Sequence, residues 1–264
     1  MYCKELIQKI NAIRKNKSYL TNAFFTKPQL DTMLAKAGTQ ILESEDLILL
    51  MEEENDLVRV YFYAVDNVAL GEIKDLMHRF NKPVVADVVG KNPKTEALAQ
   101  VLADNGFEQY SVFVRMTCDD PEKLNDVDTS TVEYAKADDI DAIFELLYSE
   151  FDPLFSHIPP VEDIVAAISK EEITVVRRQQ QLAGFAFFEM TSPQNVCLRY
   201  FIVNENYRRQ GIGNALLARA FAYHGEGIKY MLWVGTYNSA MNKYERLNFK
   251  QDGIIDYILK FKGE

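Results

Sequence analysis

Cysteine is scarce in this chain: Cys3, Cys118 and Cys197 lie far apart, with no C-x-x-C pair. A disulfide framework and a cysteine-based zinc cage are not readable, and a reducing cytoplasm is the expected home. Long apolar runs are missing too. The stretch MYCKELIQKINAIRKNKSYL mixes charge with apolar residues and holds no hydrophobic leader, and no later run approaches a membrane span. No membrane partner is expected. A basic surplus is also absent: 29 Lys and Arg stand against 39 Asp and Glu, a formal net charge of -10. No nucleic-acid partner is expected, because phosphate backbones need excess cations over a broad face. A local basic spot could still hold one small anion.

The chain has 264 residues, 48% of them hydrophobic, which leaves room for one large domain or two of ordinary size. Leu6, Ile7, Ile10 and Ile13 have helical spacing, and a second helix is expected over 29–37. DLILLM and LVRVYFYAV flank the charged turn EEEND as a hairpin, followed by a helix over 69–80, a strand over 83–90, a helix over 95–104 and a strand over 108–117. The polar stretch CDDPEKLNDVDTST, residues 118–131, reads as a linker between a first domain at 1–120 and a second at 131–264.

The second half is expected to run strand 132–135, helix 139–149, the irregular EFDPLFSHIPP, helix 161–169, a hairpin of 173–176 with 182–189, strand 196–203, helix 211–223, strand 230–234, helix 239–246 and a terminal strand through DYILKF. Both halves finish strand, helix, strand, helix, strand. KTEALAQVLADNGFEQYSVFVRMT and NSAMNKYERLNFKQDGIIDYILKF compare as a weak internal repeat, with Gly106 or Asn248 closing the helix; chance similarity of two helix–strand units is the alternative.

The halves differ at one place. Where the second has NENYRRQGIGNALL, the first has AVDNVALGEIKDL, with neither arginine nor paired glycines. A helix that opens on Gly211 and Gly213 presents unpaired backbone amides and a partial positive charge, and glycine removes the side chains that would hold a phosphate away. Arg208 and Arg209 add donors at the rim. A Walker loop would need Gly-Lys-Ser/Thr, and a dinucleotide fingerprint a third glycine where Leu216 stands. A glycine loop with two solvated arginines is the bland alternative.

The stretch VNENYRRQGIGNALL resembles the acyl-CoA signature of the GNAT acetyltransferase superfamily, R/Q-x-x-G-x-G/A between a strand ending in Val and a helix with paired leucines: Arg208, Gly211 and Gly213 take the signature positions after Val203. A second motif, L-x-V-x-x-x-N before a helix with Y-x-x-x-G-F, is similar at Leu232, Val234, Asn238, Tyr244 and Phe249. The resemblance covers about residues 131–264. It implies an α/β (α+β) fold of two GNAT-like domains, each a mixed, mostly antiparallel central sheet flanked by helices, the N-terminal copy being degenerate and lacking the cradle.

The resemblance further implies acetyl-CoA (CoA) as acyl donor, no metal, and an amine acceptor that is a small molecule or peptide. Amides around Arg209, Gly211, Ile212, Gly213 and Asn214 would hold the pyrophosphate, with Arg208 at the rim. The backbone of Ile202 and Val203 would pair with the pantetheine arm where this strand splays from the next, Asn238 would contact the pantetheine side, and Tyr244 would be the general acid.

Departures from the family pattern bear on the acceptor. Tyr244 follows Asn238 by six residues where seven is common, and Tyr237 is the next candidate acid. Cys197 and Arg199 stand where family members often carry a Glu or His base, and neither is a persuasive base. Arg199 facing the acceptor would favour a substrate carboxylate or phosphate; pairing with a neighbouring acid is the alternative. Glu189 could act as base through water, and Phe151, Phe155 and His157 fall where an acceptor wall is expected. The expected function is an N-acetyltransferase acting by direct attack in a ternary complex. The alternatives are a non-catalytic CoA-binding regulator and an aminoacyl or peptidyl transferase of the same superfamily; the oligomeric state is open.

Overall fold

Residues four and three apart share one helix face, and Leu6, Ile10 and Ile13 of the first helix (α1, Tyr2–Ile13) are all buried. The computed structural model describes residues 2–54, 57–121, 124, 126–224 and 227–262. The tip of the EEEND turn and part of the 118–131 stretch lie outside these.

The chain divides into two compact units, Met1–Phe113 with Gly253–Glu264, and Val114–Asp252. In the first, α1 is followed by β1 (Leu20–Thr21), α2 (Lys27–Ala35), β2 (Thr39–Glu43), β3 (Leu47–Glu54) and β4 (Leu57–Ala64). Then come α3 (Asn67–Leu70), α4 (Ile73–Met77), β5 (Val84–Lys91), α5 (Lys94–Asp104) and β6 (Phe107–Cys118), which ends in the second unit. The single helix expected over 69–80 is two short ones; Gly71 lies between them and gives no side chain to stabilise a continuous helix.

The first unit's sheet runs β2-β3-β4-β5 and continues into the chain's last strand, β12 (Lys250–Phe261). Residues 254–260 of β12 pair antiparallel with β5. Here the structure departs from the expected boundaries: the terminal strand assigned by sequence to the second domain belongs to the first unit, which the second half therefore completes. Leu49, Met51, Val60, Phe62, Ala86 and Leu102 form the core on one face, and α1 and α2 cover Ile48, Leu50 and Tyr63 on the other.

A buried charge cluster sits among these strands. Arg59, with no exposed surface, donates to both Glu54 oxygens at 2.8 and 3.1 Å and to both Asp87 oxygens at 3.1 and 2.9 Å. Asp256 lies close enough to feel the charges of both Arg59 and Asp87, and its Oδ1 has no hydrogen-bond partner among the described residues. Burial, and then repulsion from Asp87, hold its carboxyl well above the ordinary range. A raised acid contributes stability below its unfolded pKa, about 3.9, and that contribution is lost as pH rises through the folded value. Asp256→Asn should therefore raise the melting temperature near pH 7 by about 3 °C or more, with the difference vanishing near pH 4. A variant equal to wild type at both pH values in a thermal scan would contradict this.

The second unit holds β7 (Val132–Tyr134), α6 (Ile140–Glu150), α7 (Pro153–Ser156), α8 (Val161–Ser169), β8 (Ile173–Arg178), β9 (Gln181–Ser192), β10 (Asn195–Val203), α9 (Ile212–His224), β11 (Lys229–Gly235) and α10 (Ala240–Arg246). Its strand order is β6-β11-β10-β9-β8-β7, antiparallel from β10 to β7, with β10 and β11 parallel. Ile143 and Leu147 of α6 and Ile164 of α8 pack on Val175, Phe185, Phe187 and Tyr200. Helix α9 buries Leu216, Leu217 and Ala220, with Phe221 edge-on to Tyr230 at 4.9 Å. Each such aliphatic burial contributes about 1.5–3 kcal/mol, so one face of α9 is held hard against the sheet and its N-terminus is fixed in place.

Candidate active site

Strand β10 is paired with β9 along its whole length, Asn195 to Val203. On its other edge it pairs with β11 only from Asn195 to Leu198, opposite Lys229 to Leu232. Beyond that point the two parallel strands separate, and among the described residues no strand meets the edge of Arg199 to Val203. A bulge between Leu198 and Tyr200 in the β9 ladder marks the fork. An extra residue at a bulge leaves a backbone group out of the ladder and re-aims its neighbours.

The turn after β10 reverses with Arg209 at φ 63 and Gly211 at φ 79, both left-handed. The first amides to find acceptors are those of Asn214 and Ala215, which both donate to the Gly211 carbonyl at 3.0 Å. The amides before them have no helical acceptor and open outward. Gly213 is helical and its role is close approach: a Cβ there would lie 2.8 Å from Lys243 Nζ and 3.0 Å from Phe201 Cζ. Arg208 donates from Nε to the Val203 carbonyl at 3.0 Å and pairs with Glu150 at 2.6 Å, which ties the rim arginine to the strand end.

These parts meet in one cleft of about 700 Å3. Ile202 and Val203 line it from the strand, Arg208, Arg209 and Gly211 from the turn, Ile212, Gly213 and Asn214 from the helix, and Asn238 from the loop before α10. All nine residues expected from sequence to bind the donor thus share one wall or floor. Lys243 also lines the cleft and was not foreseen. Its ammonium lies 4.7 Å from the centre of the Phe201 ring, burial lowers its pKa, and among the described residues it makes no ion pair. A cation beside the positive end of α9 suits an anion in this cleft. Its three-residue spacing from Ala240, another lining residue, was the available sequence signal.

The remaining expected residues lie elsewhere. Tyr244 does not line the cleft; it is buried, 6.0 Å from the Phe249 ring, and burial pushes its hydroxyl pKa upward. The shorter spacing from Asn238 turns it inward while Lys243 takes the cleft side, so the placement does not support a proton-donor role. Tyr244→Phe should change kcat by less than about threefold, against the roughly 10²–10⁴-fold loss expected when a general acid is removed. Tyr237 is 99% exposed and lines neither this cleft nor the pocket below.

Glu189 and Arg199 meet in a second, smaller pocket of about 150 Å3 between β9, β10 and α8, with Asp163, Lys170 and Glu172 around it. Arg199 donates to Glu189 at 2.8 Å, so the pairing alternative is the arrangement observed. Burial, the largest influence, works against the Arg199 charge, but Glu189 together with Tyr200 and Cys197 outweighs it and holds the guanidinium above its ordinary pKa. Cys197 is opposite Glu189 in the ladder and nearly buried, and burial pushes its thiol up to about 11, so it stays protonated and packs. The His157 side chain is exposed, and its backbone is left-handed at φ 45. What this residue contributes inward is its carbonyl, which accepts from Tyr200 Oη at 2.6 Å and anchors the loop over β10. Among the described residues no helix is long and apolar enough to cross a membrane, and no group of three or more His, Cys, Asp or Glu is placed to hold a metal.

Residues 169–251 match the family model described as an acetyltransferase (GNAT) domain. The chain carries a GNAT domain. The match contains the forked strand, the arginine–glycine turn and the whole of α10. No curated protein matches the sequence. Among solved structures, a tandem GNAT protein from the clavulanic acid biosynthesis pathway aligns with 11% identity and a TM-score of 0.52, over 86% of this chain and 84% of that one. A GCN5-related N-acetyltransferase from Sphaerobacter thermophilus aligns with 16% identity and a TM-score of 0.55, over 83% and 82%. One from Kribbella flavida aligns with 15% identity and a TM-score of 0.54, over 89% and 93%. Alignments of this extent include both units; at these identities they speak to fold alone.

Proposed function

We propose that the chain is an acyl-CoA dependent N-acetyltransferase of the cytoplasm, acting on a small-molecule or peptide primary amine that also bears a carboxylate. The observation that carries this reading is the single cleft in which a free strand edge, bare helix amides, a side-chain-free Gly213 and an unpaired Lys243 converge. Such a cleft fits a ligand with an amide-bearing arm at one end and phosphates at the other. When bound, acetyl-CoA supplies a thioester carbonyl for attack by the amine.

The chain's own residues supply the rest. The bulge at Arg199 offers a backbone amide to the carbonyl oxygen as it gains charge. In the smaller pocket, an acceptor carboxylate takes the forked contact of Arg199, and this frees Glu189 to receive the amine's proton directly or through one water. The C–N bond forms, the C–S bond breaks, and the sulfur leaves as a thiolate that takes up a proton.

A second reading, a non-catalytic CoA-binding regulator, is favoured by one observation: neither Tyr244 nor Glu189 lines the large cleft. Calorimetry with acetyl-CoA followed by thiol release against a panel of amines separates the two. Binding with turnover on carboxylated amines is the expected result. Binding without turnover on any amine supports the regulator, and no binding removes both.

A further inference from the structure

The first unit repeats the forked sheet. Strands β4 and β5 are parallel and in register at only two pairs, Val58 with Val84 and Arg59 with Val85. Strand β3 occupies one edge of β4 from end to end, so every other partner must use the edge that faces β5. That edge is where β1 pairs, Leu20 opposite Ala64 and Thr21 opposite Tyr63. The fork is therefore filled by an extended segment of the chain itself.

Side chains complete the filling. Asn22 donates from Nδ2 to the Val60 carbonyl of β4 at 2.9 Å and to the Asp87 carbonyl of β5 at 3.0 Å, and its Oδ1 accepts from the Phe62 amide at 2.8 Å. One side chain thus bridges both separated strands. Thr21 donates to the Phe62 carbonyl at 2.6 Å and accepts from the Ala23 amide at 3.0 Å. Thr21, Asn22 and Ala23 are all buried, and α1 tethers the segment by packing on Tyr63.

The phosphate end is answered in the same way. After β4 the chain enters α3 directly, and Asp66 Oδ1 accepts from the Val68 and Ala69 amides at 2.9 and 3.0 Å. As the first helix amides after the forked strand, they hold the position in chain order that the amides before Asn214 hold in the second unit. A carboxylate already holds them, and it would repel a phosphate.

We propose that Leu20–Ala23 and Asp66 act as a built-in replacement for acyl-CoA in the first unit: the segment takes the place of the extended arm and the carboxylate that of the pyrophosphate. This rests on the donor site proposed for the second unit. The chain then holds one acyl-CoA, and the first unit is locked shut as a cofactor site.

Hydrogen exchange and CoA titration of the full chain test this. Exchange at the Ala23 and Phe62 amides should be slow in the free protein and unchanged by CoA, and titration should saturate at one CoA per chain. Asn22→Ala should lower the melting temperature by about 5 °C or more and speed exchange over residues 60–64 at least about tenfold. If that variant does not fold, Thr21→Val supplies the same exchange comparison. Two CoA per chain, fast exchange at Ala23 and Phe62, or CoA-dependent protection there would overturn the proposal. If wild-type protein binds no CoA while those amides remain protected, the donor site of the second unit fails and the closed fork stands.

Discussion

Gly213→Val is expected to abolish measurable acetyl-CoA binding, a loss of more than about a hundredfold, with a melting temperature close to wild type. Gly213 is helical, and valine is no poorer a helix former than glycine, so the substitution carries no backbone penalty. Its Cβ, however, would land 2.8 Å from Lys243 Nζ and 3.0 Å from Phe201 Cζ, on the floor of the cleft. The added methyl groups would stand over the bare amides and displace the lysine. Gly211→Ala should behave in the opposite sense. That residue has φ 79, and nothing lies within 4 Å of a Cβ built there, so alanine costs about 1–2 kcal/mol of backbone strain and little space. Calorimetry and thermal scans on the two variants should separate as binding loss in one and stability loss in the other. If Gly213→Val binds normally, the cleft does not hold the donor phosphates.

Arg199→Ala should raise KM for carboxylated amines by about ten- to a hundredfold, while kcat/KM for simple amines moves less than about threefold. A forked guanidinium–carboxylate contact contributes roughly 1.5–3 kcal/mol, and each 1.4 kcal/mol is about tenfold. Arg199 lines the smaller pocket and donates from Nη1 to Glu189. A substrate carboxylate would compete with Glu189 for the arginine and release it as a base. Arg199→Lys should recover only part of the loss, because an ammonium cannot make the two parallel contacts. Equal losses on charged and simple amines would show that Arg199 only braces β9 against β10.

That the residues expected to bind the donor line one cleft was legible because what brings them together is local. A glycine turn opening a helix, arginines at its rim and a strand ending in Val203 lie within about twelve residues, and helix-end geometry follows from backbone chemistry without regard to the rest of the chain. Asn238 is farther away, yet it follows a strand whose alternation is plain. The acceptor half depends on rotation and register. With Tyr244 six residues after Asn238, Lys243 and not Tyr244 is on the cleft side, since each residue turns a helix by about 100°. Arg199 and Glu189 are ten residues apart and meet because the hairpin register and the bulge set them on one face.

The amino-acid sequence by itself determined most of the order of strands and helices and the arginine–glycine turn that opens α9, which are written in short-range periodicity and turn chemistry; β1 with its two residues, β2 and the short α7 carry too little periodicity to be read. Only the tertiary structure decided which strand completes which sheet. Backbone hydrogen bonds carry no label, so nothing in DYILKF marks it for β5, and nothing in Leu20–Ala23 marks it for the fork beside β4. Those choices follow from which unsatisfied edge lies within reach once the cores have formed. The same physics leaves the edge of β10 open from Arg199 to Val203 and closes its counterpart in the first unit.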